Sequence, residues 1–101
     1  MSLYTYSTLA ENDLVEIGTY TLARWGTTQT EKYLNQLEDC CRMIAQNPRV
    51  GRPWRETPLR IRRLKQGKHV IFYQQQDAGI FIARILHQSM LPTHHPMEDP
   101  T

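Results

Sequence analysis

The chain has 101 residues, of which 40% are hydrophobic and 22% are charged, and its formal net charge is +2. This length predicts one domain with a modest core that folds without disulfides, and the composition excludes a disordered chain. The apolar runs are far shorter than the ~20 residues that a membrane-spanning helix requires, so no membrane association is expected.

The near-neutral total conceals a strong separation of charge along the chain. Residues 49–68 contain eight basic residues and one acidic residue, which gives this segment +7, whereas the remaining four basic and nine acidic residues give −5. Such a segment favours an anionic partner: nucleic acid, a nucleic-acid enzyme or an acidic protein segment. A solvated charged surface without a partner is the alternative interpretation.

The first half of the chain predicts a short strand and two helices. Residues 3–6 are β-prone, and residues 8–11 fit a capping box that opens a helix, for which Gly26 provides the left-handed stop. Residues 28–31 fit a second capping box, whose helix ends before Pro48. Apolar residues recur three and four positions apart, which predicts two amphipathic helices in an antiparallel hairpin. The predicted core stripes are Ala10, Leu14, Ile17 and Thr21, and Leu34, Leu37, Cys41 and Ile44.

The second half predicts a basic loop and three strands joined by tight turns. Residues 49–58 are interpreted as the loop because they contain Gly51, Pro53 and Pro58. The element order β-α-α-β-β-β predicts an α+β fold in which the helical hairpin packs on a small antiparallel sheet. The strands are predicted over residues 59–65, 69–73 and 80–87.

The domain is expected to span residues 1–91, followed by a flexible tail over residues 92–101, which is rich in proline. Cys40 and Cys41 are neighbours on a helix and point about 100° apart, so they are poorly placed to pair with each other. Free thiols fit a reducing compartment, and a cytoplasmic location is expected.

Short motifs along residues 4–91 carry a resemblance to a known family. They are LAENDLVEI at residues 9–17, WG at 25–26, NP at 47–48 with GRP at 51–53, RRL at 62–64, GKHVIFY at 67–73 and RILH at 84–87. In order and spacing they resemble the ParE branch of the RelE/ParE toxins. The resemblance implies the toxin of a bacterial type II toxin–antitoxin pair that poisons DNA gyrase and blocks replication. It also implies a ParD-like antitoxin, a higher-order toxin–antitoxin complex and no cofactor.

RelE-like relatives on the same fold cleave mRNA on the ribosome, which is the alternative function. If this chain is a ribonuclease, the candidates for its site are His69, His87, Arg62 and Arg84, which would supply the proton transfer and the positive charge that phosphate cleavage needs. The RelE branch commonly adds a tyrosine near the C-terminus, and residues 88–92 here contain no aromatic residue. The plain alternative is structural, with each histidine bonding a backbone carbonyl. Arg62 and Arg84 would then bond backbone carbonyls or a carboxylate of the first helix (Glu11, Asp13 or Glu16), and this role is preferred for Arg84.

For a ParE-type toxin no catalytic residue is expected, and the functional residues are those that contact partners. No Cys or acidic residues stand at the spacing of a metal site. A third interpretation is an inactive toxin-like binding protein. The predicted target-binding residues are Arg60, Arg62, Arg63, Lys65, Lys68, His87 and Met90. The predicted antitoxin-binding residues are Leu14, Tyr20, Trp25, Tyr33 and Trp54, with core packing as the alternative for the aromatic side chains near the helix connection and a lid on the core as the alternative for Trp54.

Overall fold

The computed structural model describes residues 3–55 and 60–90. The predicted tail over residues 92–101 lies outside the described part of the chain, as do residues 56–59 of the predicted loop. The elements are β1 (Tyr4–Tyr6), α1 (Thr8–Gln46), β2 (Arg52–Arg55), β3 (Ile61–Gln66), β4 (His69–Gln76), β5 (Gly79–His87) and a short 3-10 helix (Gln88–Met90).

The helical segment α1 reverses direction at Gly26, where φ is +83° and ψ is 179°. Glycine adopts this backbone conformation without steric cost. As one straight helix the 39 residues of α1 would extend about 58 Å, whereas the longest dimension of the molecule is 40 Å. A Cβ added at Gly18 would lie 3.6 Å from Leu34 Cδ1, which shows that the two arms pack together. The predicted helical hairpin is therefore confirmed, with a first arm (residues 8–25) and a second arm (residues 27–46).

Both predicted capping boxes are misplaced, the first by one residue and the second by two. The first arm is capped by Ser7, whose Oγ accepts a hydrogen bond from the Ala10 N–H at 2.9 Å. The Ser7 hydroxyl also donates to the Ala83 carbonyl at 2.7 Å, so the sheet selects the residue that caps the helix. The second arm begins directly after Gly26, and Thr30 Oγ1 donates to the Gly26 carbonyl at 2.8 Å.

The sheet has five strands in the order β1-β5-β4-β3-β2. The α+β class is confirmed, but the sheet is mixed rather than antiparallel, because β1 runs parallel to β5 while the other neighbours are antiparallel. The predicted loop also contains β2, which pairs with β3 at the edge of the sheet. Proline is tolerated on an edge strand, where its missing N–H removes no necessary hydrogen bond. Pro53 therefore does not prevent β2 from forming.

The two faces of the sheet have separate apolar clusters. Ile71, Tyr73 and Ile82 pack beneath the helical arms. Because successive residues on a strand point to opposite faces, Val70 and Phe72 lie on the other face, away from the helices. Both predicted core stripes are confirmed: Ala10, Ile17, Thr21, Leu37, Cys41 and Ile44 are buried, and Leu14 and Leu34 pack at the margin.

The two adjacent cysteines are buried free thiols. Burial is the main cause that raises the pKa of Cys41 to about 11, so this thiol stays uncharged at neutral pH. The side chain belongs to the helix-side core cluster. It serves as a small apolar residue and not as a nucleophile.

Candidate interaction surfaces

The outer edge of β5 is closed first by β1 and then by Asp13. Pairing with β1 ends at Ile82, whose carbonyl accepts from the Ser7 N–H at 2.9 Å. Beyond it, Asp13 Oδ2 accepts from the Ile85 N–H at 2.9 Å, and the two carboxylate oxygens accept from the Arg84 guanidinium at 2.9 and 3.0 Å. Asp13 is only 7% exposed. Arg84 is thus engaged with a carboxylate of the first helix, as its structural interpretation predicts.

A network around Gly51 fastens the segment before β2 to the sheet. Arg62 Nη1 donates to the Gly51 carbonyl at 2.7 Å. The Tyr73 hydroxyl donates to the Pro48 carbonyl at 2.7 Å and accepts from the Gly51 N–H at 2.9 Å. A Cβ at Gly51 would lie 2.7 Å from both the Tyr73 hydroxyl and the Arg63 carbonyl, so glycine is required here. Arg62, which the sequence assigned to the target surface, holds this backbone in place.

His69 and His87 are directly opposed on β4 and β5, and their ring centroids are 5.3 Å apart. The Nδ1 atom of His69 is 2.5 Å from the Tyr33 hydroxyl, and the Nδ1 atom of His87 is 2.8 Å from Ser89 Oγ. The expected carbonyl partners are therefore replaced by hydroxyl groups and, at His87, also by the Ser89 N–H, which donates to Nδ1 at 3.1 Å. Burial, followed by the neighbouring His87, lowers the pKa of His69 to about 4. His69 is consequently neutral at physiological pH.

An open groove of about 620 Å³ lies between the two helical arms beside β1. Val15 and Leu22 project into it and are 67% and 51% exposed. Sequence reasoning missed both residues, although each follows a predicted core residue (Leu14 and Thr21) by one position. The lining residues, called the helix groove below, are Tyr6, Leu14, Val15, Gly18, Thr19, Leu22, Thr30, Leu34 and Glu38.

The five residues predicted to bind the antitoxin do not form one surface. Leu14 lines the helix groove, and Tyr33 is half-buried against the helix-side core. Tyr20 and Trp25 are 61% and 66% exposed, so core packing does not explain them. Trp54 lies against the opposite face of the sheet, where its ring meets Phe72 edge to face at 5.4 Å.

A group of cations lies on the sheet face opposite the helices. Arg52 and Arg63 are direct cross-strand partners on β2 and β3, and cross-strand partners project from the same face. Arg63 pairs with Phe72, and Lys65 pairs with Val70, on this same face. We call Arg52, Arg63 and Lys65 the basic face.

The remaining predicted target-binding residues lie near the ends of strands. Arg60 precedes β3 with a φ of +53° and is exposed, and Lys68 is exposed in the turn between β3 and β4. His87 ends β5, and Met90 ends the short 3-10 helix. The structure brings Arg60, Arg63, Lys65 and Lys68 together along one strand and its ends, and it separates Arg62 from them.

The described part of the chain contains neither a membrane-spanning helix nor a group of metal ligands. No helix within residues 3–55 and 60–90 is long and apolar enough to cross a bilayer. In the same ranges, no three His, Cys, Asp or Glu side chains are grouped so that they would bind a metal ion.

The comparison with known families is decisive for the identity of the fold. Residues 4–92 match the family described as the ParE toxin of the type II toxin–antitoxin system, parDE. The chain belongs to the ParE toxin family. It is 38% identical over 95 residues to Toxin ParE1 of Caulobacter vibrioides, which covers 94% of this chain and 98% of the relative. It is 40% identical over 90 residues to Toxin ParE1 of Mycobacterium tuberculosis, covering 88% and 92%.

A solved structure agrees with the ParE fold. The structure titled "Chromosomal ParDE TA system from P. aeruginosa" superposes with a TM-score of 0.69 and covers 86% of this chain and 96% of the other. At 18% sequence identity, this structural similarity is evidence for the fold alone. This ParE-family chain thus keeps the hairpin-on-sheet architecture, and its surfaces must supply the functional argument.

Proposed function

We propose that this ParE-family toxin inhibits DNA gyrase by binding to it, blocks replication, and is neutralised by a ParD-like antitoxin. The single observation that carries the proposal concerns the four side chains that a ribonuclease would use. Each already has a structural hydrogen-bond partner: Tyr33 for His69, Ser89 for His87, Gly51 for Arg62 and Asp13 for Arg84. The family membership supports the toxin role, and the side-chain geometry supports binding over catalysis.

A ribonuclease needs an acid and a base that exchange protons near neutral pH, with cations at the scissile phosphate. His69 is hydrogen-bonded to Tyr33, and its pKa of about 4 is too low for a general acid at neutral pH. The guanidinium of Arg84 forms a two-bond contact with Asp13, and that of Arg62 donates to the Gly51 carbonyl. These contacts favour a toxin that acts by binding.

The helix groove supports the antitoxin part of the proposal. An amphipathic helix that binds in a groove needs exposed apolar positions to receive its anchors. Val15 and Leu22 provide two such positions, and Gly18 lies between them in the groove lining. We assign the antitoxin segment to this groove, with Leu14 at its margin.

The proposal is tested by plasmid supercoiling with purified gyrase and ATP, with and without the toxin. We expect loss of supercoiling and accumulation of cleaved DNA, and the toxin saturated with its antitoxin serves as the control. Inhibition that persists at antitoxin saturation would contradict the neutralisation step.

The same preparation should be added to a purified translation reaction to test for mRNA cleavage. We expect the mRNA to remain intact. Cleavage that His69→Gln or His87→Gln abolishes, together with unaffected gyrase, would establish the ribonuclease instead. Expression without growth arrest would support an inactive binding protein.

A further inference from the structure

We propose that the basic face binds the phosphate backbone of nucleic acid without sequence preference. The inference does not depend on gyrase being the target. If gyrase is the target, this face would contact the DNA that the enzyme holds.

Among the described residues, the cations of the basic face have no ion-pair partner. Like charges that are directly opposed across two strands destabilise a sheet, and Arg52 opposes Arg63 in this way. None of the five strands contains an acidic residue. Within residues 3–55 and 60–90, the ion pairs involve Arg42 and Arg84 and none of the three cations of the basic face. A bound polyanion would relieve the repulsion that the fold leaves in place.

Most of the apolar residues on this face are not available to a protein partner, and Trp54, which packs on Phe72, is the partly exposed exception. Protein interfaces rely on a core of apolar and aromatic anchors that fill pockets. Here Ile61 and Phe72 are fully buried, and Val70 and Leu86 are only 6% and 5% exposed. The surface therefore offers mainly cationic groups. A phosphate backbone needs little else, because its binding energy comes chiefly from neutralised phosphates and released counterions.

The arrangement of the cations also suits a chain of phosphates. Neighbouring strands are about 5 Å apart and alternate residues on a strand about 7 Å apart, so Arg52, Arg63 and Lys65 form a continuous positive surface. Arg60 and Lys68 extend it beyond both ends of β3. Arginine is well suited to phosphate because its planar guanidinium donates two parallel hydrogen bonds. Contacts to phosphates carry no base information, so the binding is expected to be independent of sequence.

The experiment measures fluorescence anisotropy of labelled single-stranded and duplex oligonucleotides with the free, full-length toxin over a range of salt concentrations. Three phosphate contacts predict a slope of about −2 to −3 for the logarithm of the binding constant against that of the salt concentration, and a dissociation constant on the order of 1–100 μM. Gyrase is absent, so the result is independent of the supercoiling assay.

The variant R63Q/K65Q is expected to bind about tenfold more weakly at low salt, because two phosphate contacts are removed. The matched control is R24Q/K32Q, which removes the same charge from exposed positions on the helical arms and should change binding less than about twofold. Unchanged thermal unfolding shows that both variants are folded.

Three results would overturn the inference. The first is the absence of an anisotropy change at low salt. The second is an equal loss in R63Q/K65Q and R24Q/K32Q, which would attribute binding to net charge and not to the basic face. The third is displacement of the labelled oligonucleotide by poly-glutamate at lower charge concentration than by unlabelled DNA, which would assign the face to an acidic protein segment.

Discussion

The helix groove and the basic face are built from opposite kinds of residue. The groove exposes Val15 and Leu22, and its single charged lining residue is Glu38. The basic face carries Arg63 and Lys65 with Arg52 from β2 and buries most of its apolar residues. On the proposals made above, one small domain separates its contacts: the apolar groove suits a peptide, and the cationic face suits a polyanion. A substitution on one surface should therefore leave binding at the other unchanged.

The largest effect is expected at Asp13, which joins the helical arms to the sheet. Asp13→Ala removes the acceptor of the Ile85 N–H and leaves the partly buried Arg84 without its carboxylate. Loss of one partner of such a pair lowers the free energy of unfolding by about 3 kcal/mol. Urea denaturation measures the change. Glu16→Ala, an exposed acidic position on the same arm, is the control and should change stability by less than about 0.5 kcal/mol. Equal stability of the two variants would contradict the role of Asp13.

The second prediction separates the two surfaces. Leu22→Glu places a charge in the helix groove and should weaken antitoxin binding about 30-fold, a loss of about 2 kcal/mol at an apolar anchor. Leu22 is 51% exposed in the free toxin, so the Leu22→Glu variant is expected to fold. Isothermal titration calorimetry measures the affinity, and Leu9→Glu, at a 42% exposed position outside the groove, is the matched control. Equal losses of antitoxin affinity in both variants would show that the antitoxin does not bind in the helix groove.

The third prediction concerns His69, whose hydrogen bond to Tyr33 ties the second arm to β4. The ordinary histidine pKa is 6.5, and burial with the repulsion of His87 lowers it to about 4, against a smaller opposing effect of Asp13. The folded chain therefore binds this proton less tightly than the unfolded chain does. The contribution of neutral His69 to the free energy of unfolding is complete above pH 6.5, and it decreases as the pH falls from 6.5 to 4.

His69→Gln should reduce this dependence on pH, because the replacement does not titrate. The measurement is the urea midpoint at pH values above and below the window. His87→Gln is the comparison variant: it keeps His69 and removes only the neighbouring imidazole. If the urea midpoint of His69→Gln falls with pH as steeply as that of the wild type, another group causes the acid sensitivity.

The sequence predicted the parts of the fold that depend on periodic patterns. The core stripes of both arms follow from the spacing of apolar residues, whereas the strands that become β3, β4 and β5 follow from β-prone residues between turn signals. The strand β2 was missed because Pro53 is unfavourable in a strand unless that strand lies at an edge, and the edge is known only from the sheet order. The cap was misplaced because the sheet contact of Ser7 decides where the helix begins.

The interaction surfaces were less predictable because they depend on register and on the packing of the arms. Arg62 and Arg63 are neighbours in the sequence, and alternation along β3 places them on opposite faces of the sheet. Val15 and Leu22 form a groove only because the second arm folds back beside them. Asp13 was one of three candidate partners for Arg84, and the sequence offered no means of choosing among them.

The most direct test of the central claim is gyrase supercoiling with the wild-type toxin and with Leu22→Glu, each with and without antitoxin. We predict that both proteins inhibit supercoiling, and that antitoxin at a fixed concentration restores it for the wild type but not for the variant. An unaffected gyrase in the presence of folded wild-type toxin would contradict the account.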